Sequence, residues 1–374
     1  MILRGARVIT DGAIVEDGWV RTEGQVIAEV GVSSPPDGDS LDLGGRWLVP
    51  GFVDMHVHGG GGASFQSGTE DDVRTAVDHH LSFGTTTMLA SLVTRPVDEL
   101  VASIERLVPL VSAGLIAGIH LEGPFLAMGR CGAHDPALLI DPRGEDVDRL
   151  LAAGPIAMVT LAPEREGGID AVRRIVSAGA IAAIGHTDAS YEVVLEAIAA
   201  GARVGTHLFN AMTPIHHRAP GPIVALLEDP RVTVELIHDG EHLHGSLVRD
   251  VFAAAGPSRV SLVSDAIAAS GLGDGDYRIG ELEVIVAGGF ARLTHGGALA
   301  GSTLTVGAAV RNAVASGVPV VDAVTAATST PARALGLDSV GAIATGFAAD
   351  LVVLAEDLTV EGVLKAGTWA RPLA

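Results

Sequence analysis

The chain has 374 residues, 48% of them hydrophobic, with 48 glycines, few aromatics and a formal net charge of -21. That balance excludes a disordered polymer and argues against nucleic acid or an anionic membrane surface as a partner, because both select basic faces. One cysteine, Cys131, rules out an internal disulfide and a thiolate-rich metal cluster, and the start MILRGARVITDG lacks an apolar signal core, so a soluble cytoplasmic protein is expected.

From Met1 to about Val49, alternating segments such as LRGARVIT, GWVRTEG and QVIAEVG are broken at Asp11-Gly12, Glu23-Gly24 and Pro35-Pro36-Asp37-Gly38, a pattern of hairpins. AADLVVLAED and VEGVLKAGTWA repeat it at the other end. Residues 1–49 and 341–374 are therefore expected to form one small β-sandwich domain. Between them, over 50–340, strand-like apolar runs alternate with helical patterns. The runs are FVDMHVH, GTTTMLAS, IAGIHLEG, AMVTLAPE, AIAAIGHT, RVGTHLFN, VTVELIHDG and RVSLVSDA, with helices expected over 70–83, 97–113, 169–178, 190–200 and 243–255. Eight such units predict an α/β fold of the (β/α)8 TIM-like barrel type, whose chemistry collects at the C-terminal strand ends. After Asp265, DYRIGELEVIVAGGFARLTHGG reads as hairpins, a β insertion near 276–300, before helical patterns resume near Thr305 and Asp322.

The strand ends carry polar groups. In VPGFVDMHVHGGGG, alternation puts Asp54, His56 and His58 on one face, and Gly59 to Gly62 are expected to turn sharply and leave room above the strand. His-x-His alone reads equally as a ligand pair or a buried hydrogen-bonded pair. Glu122 ends the third strand, His186 the fifth, His207 the sixth, His238 and Asp239 the seventh, and Asp265 the eighth. Singly, each fits a cap or a satisfied core histidine. Together they would be unpaired charge at one end of one barrel, which divalent ions would satisfy. Nitrogen and carboxylate ligands without thiolate suit zinc, iron, manganese or cobalt. Two ions fit: one on His56, His58 and Glu122, the other on Glu122, His186 and His207, with Glu122 bridging. Asp265 is expected across the barrel from these ligands, where it can accept a proton from water. Divalent ions make coordinated water acidic enough to ionise near neutral pH, so the reaction class is hydrolysis.

The motifs HLEGPF (120–125), GAHDP (132–136), GHTDA (185–189), THLFNAM (206–212), HDGEH (238–242), VSDA (263–266) and LAGS (299–302) occur in an order that resembles the amidohydrolase superfamily. Within it they resemble the branch that deacetylates amino-sugar phosphates, from PGFVDMHVHG to ATGFAADLVVL. The resemblance implies hydrolysis of N-acetylglucosamine 6-phosphate to glucosamine 6-phosphate and acetate, in amino-sugar catabolism and cell-wall recycling. It implies Glu122, His186 and His207 as ligands of a divalent metal, zinc first, with His56 and His58 deciding whether a second ion joins. Asp265 is then the base that becomes the acid, and His134 polarises the acetamide carbonyl. Asn210 and Ala211 contact the sugar phosphate, while His242 and Arg218 clamp its phosphate, Arg218 reaching the neighbouring active site of a homodimer. Cys131 stands where relatives usually carry lysine and reads as a loop thiol. His79 and His80 read as surface residues, and His216, His217 and His244 as residues near the phosphate loops that could attract an anion.

Two other readings stay open: a carboxylate-bridged deaminase or dipeptidase, and a non-catalytic sugar-phosphate-binding relative. A bridge of carboxylated lysine is excluded, since Lys365 is the only lysine and lies in the terminal β unit. A phosphate requirement separates the first alternative, and Asp265, superfluous in a pure binder, argues against the second.

Overall fold

Strands that are apolar on both faces need cover on both faces, and eight of them assemble here into one parallel sheet. The computed structural model describes residues 1–10, 12–66 and 69–373, so the expected turn at Asp11-Gly12 lies partly outside the described residues. In sheet order, which is also chain order, the strands are Phe52–Asp54, Thr85–Val93, Gly118–Glu122, Ile156–Leu161, Ile181–Ile184, Val204–Gly205, Thr233–Ile237 and Val260–Val263. Helices Glu70–Ser82, Val97–Ser112, Gly168–Ser177, Tyr191–Ala200 and Gly245–Ala255 cover the outside, each starting and ending within two residues of the expected span.

The first strand is shorter than FVDMHVH suggests, because hydrogen bonding changes partner after Asp54. Ser91 Oγ receives the Val57 N–H (3.0 Å), His56 O receives the Asp265 N–H (2.9 Å) and Ala266 O receives the His58 N–H (2.8 Å). These bonds bring the eighth strand end beside the first without a regular ladder. Asp54, expected to face the same way as His56 and His58, instead lies fully buried at this seam and accepts the N–H groups of Ser264 (3.3 Å) and His56 (3.2 Å). Burial pushes its carboxyl up to about 7.

Helix Glu70–Ser82 starts on a capping box, with Thr69 and Asp72 exchanging side-chain and backbone hydrogen bonds. It buries Val73, Ala76, Val77 and His80, spaced i, i+3, i+4 and i+7. The surface reading of His79 and His80 is therefore corrected. His80 is fully buried and donates from Nε2 to Gly59 O at 2.9 Å, while His79 bonds to Ser270 Oγ at 2.9 Å. The glycine run makes room for this helix, since a Cβ on Gly60 would lie 2.6 Å from His79 Cδ2 and 2.8 Å from His80 Nε2.

Both termini enter a second, eight-stranded sheet. Its path runs Thr368–Arg371, Val360–Lys365, Leu351–Leu354, Trp47–Pro50, Ile2–Thr10, Ala13–Glu23 and Val26–Val32, with Ser40–Asp42 beside Ile2–Thr10. Leu3, Val8, Ile27, Leu48, Leu351 and Leu364 form a core of its own, whereas Ile9, Trp47 and Val352 pack into the barrel core. Lys365 is held here by Asp350 at 2.7 Å, far in sequence from any barrel strand. The insertion is a three-stranded antiparallel sheet, Gly275–Ile279, Leu282–Ala287 and Phe290–Leu293, and its Ile279 and Val284 pack with Val93, Ile267 and Ala300. Among the described residues no helix is long and apolar enough to cross a membrane.

Candidate active site

Three strand ends finish alike: His186, His207 and Asp265 each stand two residues beyond a barrel strand with positive φ, at 47°, 25° and 48°. Non-glycine residues enter this region at a cost of about 1–3 kcal/mol and persist where surrounding structure holds them. What they gain is position. Glu122, the last residue of its strand, places Oε1 3.0 Å from both His186 Nε2 and His207 Nε2, and Oε2 3.2 Å from His58 Nε2. His56 Nε2 and His58 Nε2 are 3.1 Å apart, as are His186 Nε2 and His207 Nε2 at 3.0 Å.

The ring tautomers follow from the partners. His58 Nδ1 faces Ser91 O (3.2 Å), His186 Nδ1 faces Arg130 O (2.8 Å) and His56 Nδ1 faces Glu235 Oε2 (3.0 Å). Carbonyl and carboxylate oxygens only accept, so in these three rings Nδ1 carries the proton and Nε2 turns a lone pair inward. Lone pairs and carboxylates converging at this distance repel one another unless cations lie among them. Among the described residues, two groups have ligand atoms within 4.8 Å of one another: His56, His58 and Asp265, and Glu122, His186 and His207. The residues fit one or two divalent ions, and Glu122 reaches both groups.

Protons would be the alternative cations. Burial works to lower the pKa of His58, but Asp265 and Glu122 outweigh it and hold it at about 9. Burial likewise opposes charge on His56, which Glu122, Asp265 and Glu235 hold well above its ordinary value. Glu122, although burial pushes it up, is pulled well below the carboxylate range by His56 and His134. A field that binds protons this firmly also binds metal, with proton release.

Asp265 departs from expectation in one respect. Its Oδ1 lies 3.2 Å from His58 Nε2 and 3.4 Å from His56 Nε2, inside the ligand group rather than across the barrel. The eighth strand neighbours the first once the sheet curls round. His134 approaches from the loop after the third strand. The Thr94 N–H donates to its Nδ1 at 3.3 Å, so the proton of the neutral ring sits on Nε2, 3.3 Å from Glu122 Oε2. Burial keeps the pKa of His134 below its usual value.

His58, Glu122, His134, His186, His207 and Asp265 border a cavity of about 270 Å³, also lined by Asn210, Ala211 and His242. Its size suits a small molecule rather than a polymer. Asn210 donates to His207 O at 3.2 Å, and Ala211 has φ 51°. His242 donates from Nδ1 to Asp239 Oδ2 at 2.8 Å, which leaves Nε2 for the cavity. Other sequence candidates are not brought here. Arg218 lies exposed on segment 214–219, bonded to His217 Nε2 at 2.6 Å, and does not line the cavity of its own chain. His216 and His217 are exposed on that segment, and His244 caps helix Gly245–Ala255 by accepting the Ser246 N–H. His238, a strand-end histidine, turns to Ser316 Oγ (2.9 Å) and Asn312 O (3.2 Å) and joins neither ligand group. Cys131 is half-buried, beside the Gly132 that packs over His186.

Residues 47–370 match the amidohydrolase family. The chain belongs to that family. It is 34% identical over 377 residues to N-acetylgalactosamine-6-phosphate deacetylase of Escherichia coli O157:H7, covering 99% of each chain. It is 35% identical to N-acetylglucosamine-6-phosphate deacetylase of Vibrio furnissii, covering 89% of this chain and 84% of that one. Among solved structures, an aspartate-to-alanine variant of the Mycobacterium smegmatis N-acetyl-D-glucosamine-6-phosphate deacetylase, in complex with N-acetyl-D-glucosamine-6-phosphate, superposes with a TM-score of 0.97. It shares 46% identity over 100% of this chain and 99% of that one.

Several residues of this amidohydrolase site escape sequence reasoning. Arg130 O and Ser91 O hold His186 and His58 through backbone carbonyls, which carry no side-chain signal. Ile279 reaches the cavity wall from the insertion. Glu235 did leave a signal, a lone carboxylate inside the apolar run VTVELI of a strand buried on both faces.

Proposed function

We propose that this amidohydrolase hydrolyses the acetamide of N-acetylglucosamine 6-phosphate, giving glucosamine 6-phosphate and acetate. The observation that carries the reading is the convergence of four Nε2 atoms on Glu122 and Asp265, beside a neutral His134, in a cavity bordered by His242. Glu122, His186 and His207 would hold one divalent ion, and His56, His58 and Asp265, with Glu122 bridging, a second. When bound, such an ion acidifies water and polarises the carbonyl; zinc is the first choice, with iron, manganese and cobalt also compatible with the donors.

The chain's own residues then divide the work. Burial pushes the Asp265 carboxyl up, but His56 and His58 hold it below its usual value, so it is ionised and accepts a proton from the attacking water. His134 donates its Nε2–H to the carbonyl oxygen as negative charge gathers there. Asp265 returns its proton to the departing nitrogen as the C–N bond breaks, and the water oxygen leaves in acetate. Asn210 and the Ala211 backbone hold the sugar phosphate. His242 meets the phosphate, together with Arg218 of a second copy, in a homodimer; exposure of Arg218 and its segment supports this arrangement. A cytoplasmic location is supported by the single thiol. The division into a terminal domain, 1–49 with 341–374, and a barrel, 50–340, with its insertion at 276–300, is supported by the separate hydrophobic clusters.

The E. coli relative, named for the galactosamine epimer, favours a second reading in which the C4 epimer is also accepted. Acetate release from N-acetylglucosamine 6-phosphate, N-acetylgalactosamine 6-phosphate and unphosphorylated N-acetylglucosamine tests both. The first should be fastest and the last far slower. Equal rates with and without the phosphate would sink the phosphate clamp, and release of ammonia or amino acid instead of acetate would favour the deaminase or dipeptidase alternative.

A further inference from the structure

Glu235 sits on barrel strand Thr233–Ile237, fully buried and outside the cavity wall. One oxygen, Oε2, accepts two hydrogen bonds: the Nδ1–H of His56 at 3.0 Å and the backbone N–H of His207 at 3.1 Å. These residues belong to different ligand groups. Its other oxygen, Oε1, makes no hydrogen bond among the described residues. A carboxylate buried in this way is costly to keep, and the reaction proposed above gives it no proton to move.

Its effect on His56 supplies a reason. Among the four convergent rings, His58 and His186 are held at Nδ1 by neutral carbonyls, and His207 Nδ1 has no partner among the described residues. Only His56 is held at Nδ1 by a carboxylate. A carboxylate on Nδ1–H fixes the tautomer, aims Nε2 and raises its basicity toward a cation. We propose that Glu235 is a positioning residue that sets the affinity of the His56, His58 and Asp265 group for its divalent ion, and so decides whether the centre holds one ion or two. The inference rests on the two-ion reading above.

Zn2+ titration of the metal-stripped full-length protein, with metal content after dialysis, tests it. Wild type should bind in two steps. Glu235→Gln keeps an amide oxygen for both hydrogen bonds and removes the charge, and should weaken one step about 10-fold while leaving the other in place. Glu235→Ala removes the acceptor as well and should weaken that same step about 100-fold. If Glu235→Ala fails to fold, Glu235→Gln carries the test alone. Two wild-type steps that stay unchanged in Glu235→Gln, or that weaken equally, overturn the role of Glu235 while leaving the two-ion reading intact. A single step in wild type overturns the two-ion reading and the inference with it.

Discussion

In the proposed reaction Asp265 and His134 act at different moments, which separates their variants. Asp265→Asn removes the proton carrier, so kcat should fall about 10²–10⁴-fold. Substrate binding, read by calorimetry, should be little changed; weakened binding matching the lost rate would count against a proton-transfer role. His134→Ala removes a donor aimed at developing charge, and should lower kcat and kcat/KM together by about 10²–10³-fold. A rise in KM alone would make His134 a substrate-binding residue only. His80 yields a pH prediction away from the metal centre. Burial lowers its pKa from 6.5 to about 4, so between those values the unfolded chain binds more protons than the folded one. Its contribution is therefore fully present above pH 6.5 and is lost as pH falls toward 4, a change on the order of 3 kcal/mol. His80→Gln keeps a donor for Gly59 O and removes the titration, so its denaturation midpoint should fall less between pH 7 and 5 than that of wild type. Parallel slopes would refute the assignment.

At the scale of elements, the helix carrying His80 shows what the sequence makes legible. Val73, Ala76, Val77 and His80 follow one helical stripe, so the burial of His80 was readable from spacing; the polar side chain hid it. Gly60, opposite, belongs to the same contact. Gly60→Ala would place its Cβ 2.6 Å from His79 Cδ2 and should destabilise the protein by about 1–3 kcal/mol, seen as a lower melting temperature. An unchanged midpoint would mean that the helix moves freely away. The eight barrel strands were legible because apolar runs bounded by turn residues repeat so regularly. The early end of the first strand was not, since it depends on backbone bonds from His56 and His58 to Asp265 and Ala266, more than 200 residues on. Most of the converging groups were readable as polar residues at strand ends. His238 shares that pattern and turns outward to Asn312 and Ser316, a choice made by tertiary packing.

Considered as a whole molecule, the barrel converges on the centre from its first, third, fifth, sixth and eighth strand ends. Ions bound there only in the folded state stabilise it, by about 2.7 kcal/mol at a hundredfold excess over Kd. Removing them with a chelator should abolish activity and lower the melting temperature by roughly 3–4 °C for each ion lost, restored on adding Zn2+. Activity that survives removal would refute a metal-dependent reaction. The proposed dimer has its own test. If each site needs its own Asp265 and the other copy's Arg218, then mixing Arg218→Ala with Asp265→Asn chains and allowing subunits to exchange should restore about a quarter of wild-type activity. No recovery, with heterodimers shown to form, would place Arg218 outside the neighbouring site. The terminal sheet bears on how the chain is made. Trp47–Pro50 lies against Leu351–Leu354, so it leaves the ribosome about 300 residues before its partner. At ordinary elongation rates that gap lasts roughly 15–60 s. During that interval Trp47–Pro50 presents an open apolar edge, the kind of surface that chaperones shield and that nascent chains share in aggregates. Synthesis of Leu351–Leu354, rather than completion of the barrel, is the step that removes that hazard.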